Sequence, residues 1–289
     1  MNSMLFVPGD SARKMEKCVS TAADIVVLDL EDSVADAQKE AARMMVRDFQ
    51  RGTLPDKRFY VRVNAFDTGL TLRDLAAAMP GRPSGIVLPK CQGIGDVERL
   101  GHILDGIEAV LGIAVGATAI VPIITETPKA LLNISTYQVG HQRLWGMLWG
   151  AEDLAGAIGA SSNRDGAGYR SPFVYARDAC LMAAAAAGVV AIDTVCTDVK
   201  DMERVRLESE EARKLGFGAK AAIYPSHCEV INAAFAPSDE EVDWARTVVR
   251  ALSENASTGV VVLNGKMIEK PHEVLARRIL ASPRVANAA

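Results

Sequence analysis

Short, mostly β-branched apolar runs recur along the chain, at Met4–Val7, Ile25–Leu30, Phe59–Val63, Gly85–Leu88, Ala119–Ile124, Leu144–Gly150, Val189–Asp193 and Ala221–Tyr224. Longer amphipathic stretches separate them, among them Ser11–Ala23, Asp36–Gln50, Gly95–Leu111, Ser171–Gly188 and Lys200–Leu215. Strands alternating with helices of this length predict βαβ units and a parallel sheet. Eight such units within about 235 residues fit a closed (β/α)8 TIM barrel, which typically takes about 250. A doubly wound open sheet is the alternative, but no GxGxxG follows the first run. The barrel is expected over residues 1–235 and a C-terminal helix-hairpin-helix extension over 236–289. The pattern there predicts a helix over Ser238–Asn255 with Ser238 as N-cap and an acidic first turn. A hairpin follows at Asn264-Gly265, then a last helix after Pro271. This extension is expected to pack on the barrel or on a neighbouring subunit.

Composition narrows the class. The 289 residues are 49% hydrophobic and 24% charged, which is ordinary for a soluble globular protein. A formal net charge of −4 and 5% aromatics argue against a nucleic-acid partner. The segment Met1-Asn-Ser-Met-Leu-Phe-Val-Pro lacks the basic start and long apolar run of a signal peptide, and no stretch reads as a membrane span. The five cysteines are scattered and form no CxxC pair, as expected of reduced thiols in a cytoplasmic protein.

Polar residues gather where the apolar runs end: Pro8-Gly-Asp10, Glu31-Asp32, Asn64, Pro89-Lys90, Glu126, Ala151-Glu-Asp153, Asp193 and Pro225-Ser-His227. In a barrel these ends share one rim, where active sites are built. Glu126 and Asp153 close consecutive runs 27 residues apart. Two carboxylates facing one cavity repel unless a cation lies between them, and an all-oxygen site suits Mg²⁺. On spacing, each can equally pair with an Arg or Lys or cap a helix, and Glu152 can stand in for Asp153. Arg62, between two valines, needs a buried partner. Asp29 and Glu31 are candidates, so Arg62 is either a structural ion pair or a substrate-binding group. Arg13, Lys14 and Lys17 follow Pro8-Gly-Asp10 and form either an anion-binding group or a solvated basic face. Of the four histidines, His227 alone falls on the rim, and none has metal-ligand spacing. No GxSxG elbow and no P-loop occur.

The ordered strings Met4-Leu-Phe-Val-Pro-Gly-Asp10 with Arg13, Asp24-Ile-Val-Val-Leu-Asp-Leu-Glu-Asp-Ser-Val34, Val61-Arg-Val-Asn64, Val87-Leu-Pro-Lys90, Glu126-Thr, Gly150-Ala-Glu-Asp-Leu154 and Gly265-Lys-Met-Ile-Glu269-Lys-Pro271 resemble citrate lyase β-subunit-like proteins. The resemblance covers about residues 3–275. It implies a barrel of the phosphoenolpyruvate/pyruvate superfamily and a Mg²⁺-dependent carbon–carbon lyase. Such an enzyme cleaves or forms malyl-, citramalyl- or citryl-type thioesters, giving an acyl-CoA and a 2-oxo acid. It implies Glu126 and Asp153 as metal ligands, Arg62 and Glu126 as substrate contacts, Arg13 and Lys14 on the CoA tail, and a homotrimer. The family's tail motif commonly reads Asp-Gly-x-Met-Val/Ile-Asp, with the last Asp as acid/base. Here it is Asn264-Gly-Lys-Met-Ile-Glu269, so the resemblance points to Glu269 as the catalytic carboxylate, one methylene longer. Tyr224 and His227 stand where many members have His and Gln. Rival readings are a malyl-CoA-type thioesterase, a CoA-independent aldolase on free 2-oxo acids, and a non-catalytic subunit that binds an acyl carrier.

Overall fold

The computed structural model describes residues 1–50, 57–166, 168–255, 259–282 and 285. Contacts divide the chain into two compact units, Met1–Ile231 and Asn232–Ala289. In the first, strands β1 (Ser3–Pro8), β2 (Ile25–Asp29), β3 (Arg58–Arg62), β4 (Gly85–Leu88), β5 (Ala119–Pro122) and β6 (Gly146–Leu148) are followed by a short antiparallel pair, β7 (Arg164–Asp165) and β8 (Gly168–Tyr169). Strands β9 (Val190–Asp193) and β10 (Ala219–Ala222) complete the set. The helices between them are α1 (Ala12–Cys18), α2 (Lys39–Gln50), α3 (Thr71–Ala78), α4 (Ile94–Leu111), α5 (Pro128–Leu132), α6 (Ala151–Ile158), α7 (Ser171–Ala186) and α8 (Met202–Leu215), with α9 (Pro225–Phe235) after β10.

Eight parallel strands run in the order β5-β4-β3-β2-β1-β10-β9-β6. Parallel bridges Ile120–Leu144 and Ile123–Leu148 join the two ends, so the sheet closes as the predicted TIM barrel. The side-chain period of two sorts each strand into an inner and an outer face. Met4, Ile25, Val27, Tyr60, Val87, Val121, Leu148, Ile192, Ala219 and Ala221 share one buried cluster inside the barrel. Leu5, Val26, Leu28, Val61, Ile86 and Leu88 are equally buried on the other face, under the helices. Burial on both faces explains why the strands read as unbroken apolar runs. The same period places Asp29 on the face of Val27 and Arg62 on the face of Tyr60. The register pairs Asp29 with Arg62.

Several boundaries differ from expectation for identifiable reasons. Helix α1 stops at Cys18, where Ser20 and Thr21 hydroxyls donate back to the carbonyls of Lys17 and Cys18. Strand β6 stops at Leu148, because Gly150 already caps α6. The last barrel strand begins two residues early and contains a lysine. Lys220 is 1% exposed and points to the helix layer, where its Nζ lies 2.8 Å from Asp193 Oδ2 and donates to Thr194 O at 2.8 Å. A buried carboxylate on the adjacent strand lets a cation lie mid-strand, which an apolar pattern cannot reveal. The β7–β8 pair was not foreseen. It carries Tyr169 onto Trp149, with ring centroids 4.9 Å apart.

The second unit contains α10 (Asp239–Glu254), β11 (Val260–Leu263), β12 (Lys266–Glu269) and α11 (Lys270–Leu280). This is the predicted helix-hairpin-helix. Ser238 caps α10 in a reciprocal capping box with Glu241, whose side chain accepts from the Ser238 N–H at 2.7 Å. Asn264 and Gly265 both have positive φ, 51° and 75°, as a tight two-residue hairpin turn requires. Ala245, Val248, Ile268 and Ala276 form its core. Of the extension expected over 236–289, residues 256–258, 283–284 and 286–289 lie outside the described residues. No helix among the described residues is long and apolar enough to cross a membrane.

The Lys220–Asp193 pair should dominate the local stability where β9 and β10 meet. Lys220→Ala leaves a buried carboxylate with Arg177 and Trp149 as its remaining side-chain partners among the described residues. Urea denaturation should show a loss of about 3–5 kcal/mol, whereas a loss below about 1 kcal/mol would mean Lys220 is dispensable there.

Candidate active site

The carboxyl ends of the barrel strands surround a cavity of about 600 Å³. Phe6, Pro8, Asp29, Arg62, Ile123, Glu126, Leu148, Trp149 and Asp153 line it, with Lys14, Lys17, Asp32 and Tyr224 also in the wall. Two of the residues singled out as metal ligands, Glu126 and Asp153, therefore face one space. They come from different positions. Glu126 follows β5, and Asp153 sits in the first turn of α6, where the helix dipole favours a carboxylate. Gly150 makes room for Glu126: a Cβ there would stand 2.8 Å from Glu126 Cγ.

Arg62 is held by both partners that the sequence offered. Its Nε and Nη2 donate to the two oxygens of Asp29, each at 2.6 Å, and its Nη1 lies 3.0 Å from Glu31 Oε2. This bidentate grip fixes the plane of the guanidinium while leaving it in the cavity wall. Burial opposes the charge on Arg62, but the carboxylates outweigh it and raise its pKa. Burial likewise pushes the Asp29 carboxyl up, and Arg62, the Ser33 hydroxyl and the Glu31 N–H more than reverse that, holding it below the usual range.

Lys90 is a residue that sequence reasoning left out of the site. Its backbone N–H donates to Glu126 Oε2. Its ammonium bonds Glu31 Oε1 and lies 3.2 Å from both Asp32 Oδ2 and Asp153 Oδ1. The available signal was a lysine directly after an apolar strand, the same mark that drew attention to Glu126.

Other expected residues fall elsewhere. Lys14 lines the cavity, and so does Lys17, but Arg13 does not. Glu152 faces the cavity rim, yet its Oε1 accepts from Asn163 Nδ2 at 2.7 Å, leaving Asp153 as the carboxylate beside Lys90. His227 is buried in the first turn of α9, its Nε2 3.3 Å from Val199 O, and is absent from the cavity wall; Tyr224 takes that place. Glu269 belongs to the second unit. It caps α11, and its N–H donates to His272 Nδ1 at 3.2 Å.

The electrostatics ask for a cation. Glu126 is 2% exposed, and its carboxyl is raised from the ordinary 4.5 to about 8, first by burial and then by the charges of Asp153 and Glu31. A divalent ion between Glu126 and Asp153 would offset that repulsion and favour the ionised carboxylate. Among the described residues no cluster of three or more His, Cys, Asp or Glu could hold a metal. The candidate donors Glu126 and Asp153 are an oxygen-only pair on one cavity, the kind of set that Mg²⁺ takes together with water and a ligand's oxygens.

Similarity to known proteins identifies the family. The model of the HpcH/HpaI aldolase/citrate lyase family matches residues 2–225. The chain belongs to that family. It is 33% identical to a (3S)-malyl-CoA thioesterase of Cereibacter sphaeroides over 96% of this chain and 93% of the relative. It is 36% identical to a citrate lyase subunit β-like protein of Mycobacterium tuberculosis over 92% and 90%. The structure of the CitE protein from Mycobacterium tuberculosis in complex with magnesium, acetoacetate and coenzyme A superposes with a TM-score of 0.80 at 31% identity, covering 99% of this chain and 98% of that one. The HpcH/HpaI family is one of aldolases and lyases, and its CitE member binds Mg²⁺ and CoA.

The raised Glu126 carboxyl predicts a pH effect in metal-free protein. Its folded pKa, about 8, lies above the unfolded value near 4.5, so stability is fully present below pH 4.5 and is lost as pH rises to 8. Glu126→Gln should remove this loss. Denaturation in chelator should find the variant more stable than the parent at pH 9 by a few kcal/mol, with the gain shrinking toward pH 5. Equal stability at both pH values would show that Glu126 is not strained as an anion.

Proposed function

We propose that the protein is a Mg²⁺-dependent carbon–carbon lyase that reversibly cleaves a 3-hydroxyacyl-CoA thioester of malyl, citramalyl or citryl type. The products are an acyl-CoA and a 2-oxo acid. The observation that carries this reading is the convergence of Glu126, Asp153 and Arg62 on one rim cavity with Lys14 at its wall. Family membership and the Mg²⁺–acetoacetate–CoA complex of the CitE protein support it. A cytoplasmic homotrimer belongs to the same reading.

In this mechanism Glu126 and Asp153 would hold the cation, which would supply positive charge to the oxygens of the 2-oxo acid portion when bound. Gly150 keeps Glu126 in place by yielding space to its side chain. Arg62, its plane fixed by Asp29 and Glu31, faces the negative charge that develops on oxygen as the carbon–carbon bond breaks. Because that clamp exists before substrate arrives, little reorganisation is needed. Lys14 and Arg13 offer positive charge to the phosphates of the CoA tail. Glu269 moves the proton to or from the α-carbon of the acyl thioester, and its extra methylene shifts the carboxyl by about 1 Å relative to aspartate.

One observation favours a second reading. The similarity to a (3S)-malyl-CoA thioesterase runs nearly the full length of both chains, and water attacking the polarised thioester carbonyl would release hydroxy acid and free CoA. Product analysis separates the two. Incubating the protein with a panel of 3-hydroxyacyl-CoA thioesters and Mg²⁺, with mass spectrometry of the products, should find 2-oxo acid and acyl-CoA. Free CoA with intact hydroxy acid would replace the lyase by the thioesterase. On the substrate so found, Glu269→Gln should lower turnover by about 10²–10⁴-fold with Mg²⁺ affinity unchanged. Wild-type turnover would remove Glu269 from the mechanism.

A further inference from the structure

Lys90 has no part in the chemistry above, yet its placement is costly. It has φ of 51° without being glycine, a left-handed backbone that disfavours any side chain. Asn264, with the same φ, serves a tight turn. Lys90 closes a barrel strand, and its twisted backbone turns two groups on one residue toward two different carboxylates. The N–H reaches Glu126 and the ammonium reaches Asp153 at 3.2 Å. The ammonium is also held by Glu31 and, at 3.2 Å, Asp32.

We propose that Lys90 is a built-in competitor for the divalent cation: its ammonium holds Asp153 in the metal-free protein and gives that carboxylate up when the ion enters. This rests on the reading of Glu126 and Asp153 as cation ligands. Burial and shared partners favour one direction for Lys90. Glu31 has a nearly buried side chain, 5% exposed, that also holds Arg62, whereas Asp153 is 31% exposed and free to turn toward the cavity. Lys90 therefore stays with Glu31 and Asp32 while Asp153 turns to the ion. Two positive charges then remain a few ångströms apart, a repulsion that survives an effective dielectric of about 20. The result is a site whose carboxylates are positioned in advance but whose affinity for Mg²⁺ is held down.

Calorimetric titration of Mg²⁺ into the chelator-treated full-length protein tests this. Lys90→Met keeps the aliphatic stem and loses the charge, and it should bind Mg²⁺ about tenfold more tightly than wild type. Lys90→Arg keeps the charge and should stay within about threefold of wild type. In metal-free protein Lys90→Met should melt below wild type and recover at saturating Mg²⁺, which distinguishes a lost counterion from a misfolded variant. Unchanged or weaker binding by Lys90→Met overturns the proposal, as does Lys90→Arg binding as tightly as Lys90→Met. Asp153→Asn tells the two levels apart. If it binds Mg²⁺ like wild type, the cation site is misassigned and both readings fall. If it loses binding while Lys90→Met stays at the wild-type value, only the competitor falls.

Discussion

The carboxylates of Asp29, Glu31, Asp32, Glu126 and Asp153 crowd one end of the barrel, and among the described residues the cations in contact with them are Arg62 and Lys90. That excess of negative charge, partly out of water, is the constraint around which the site is organised. It accounts for the bidentate clamp on Arg62, for the raised Glu126 carboxyl, and for a lysine in a backbone conformation that lysine disfavours. It also gives the barrel its electrostatic appetite. A divalent ion would bring the charge on the rim closer to balance.

Much of this was legible in the sequence, and the reason is periodicity. Barrel strands covered on both faces appear as apolar runs, and the polar residues at their ends mark the rim, so Glu126, Asp153, Arg62 and the partners Asp29 and Glu31 could be named before any coordinates. What escaped was whatever depends on a third dimension that the pattern does not encode. Lys220 fell outside the apolar run Ala221–Tyr224, because the buried partner that lets it lie within the strand, Asp193, is distant in sequence. His227 looked like a rim residue because it follows a strand, but the first turn of α9 buries it. Lys90 was seen only as a strand-end lysine, since nothing in a linear pattern shows that one residue can touch two carboxylates through separate atoms. Arg13 and Lys14 are adjacent in sequence, yet a helix separates their directions by roughly 100°, and only Lys14 joins the cavity wall.

The barrel unit thus carries the proposed cation ligands and the proposed substrate-facing arginine, while the proposed acid/base, Glu269, belongs to the second unit. The most direct measurement of the central claim is proton release on Mg²⁺ binding. It is read by calorimetry of the metal-free protein in two buffers of different ionisation enthalpy. With the Glu126 carboxyl near 8, about one proton should leave per Mg²⁺ bound at pH 7, and few at pH 9. Absence of Mg²⁺ binding, or binding at pH 7 without proton release, would contradict the claim that an excess of buried carboxylate charge creates this cation site.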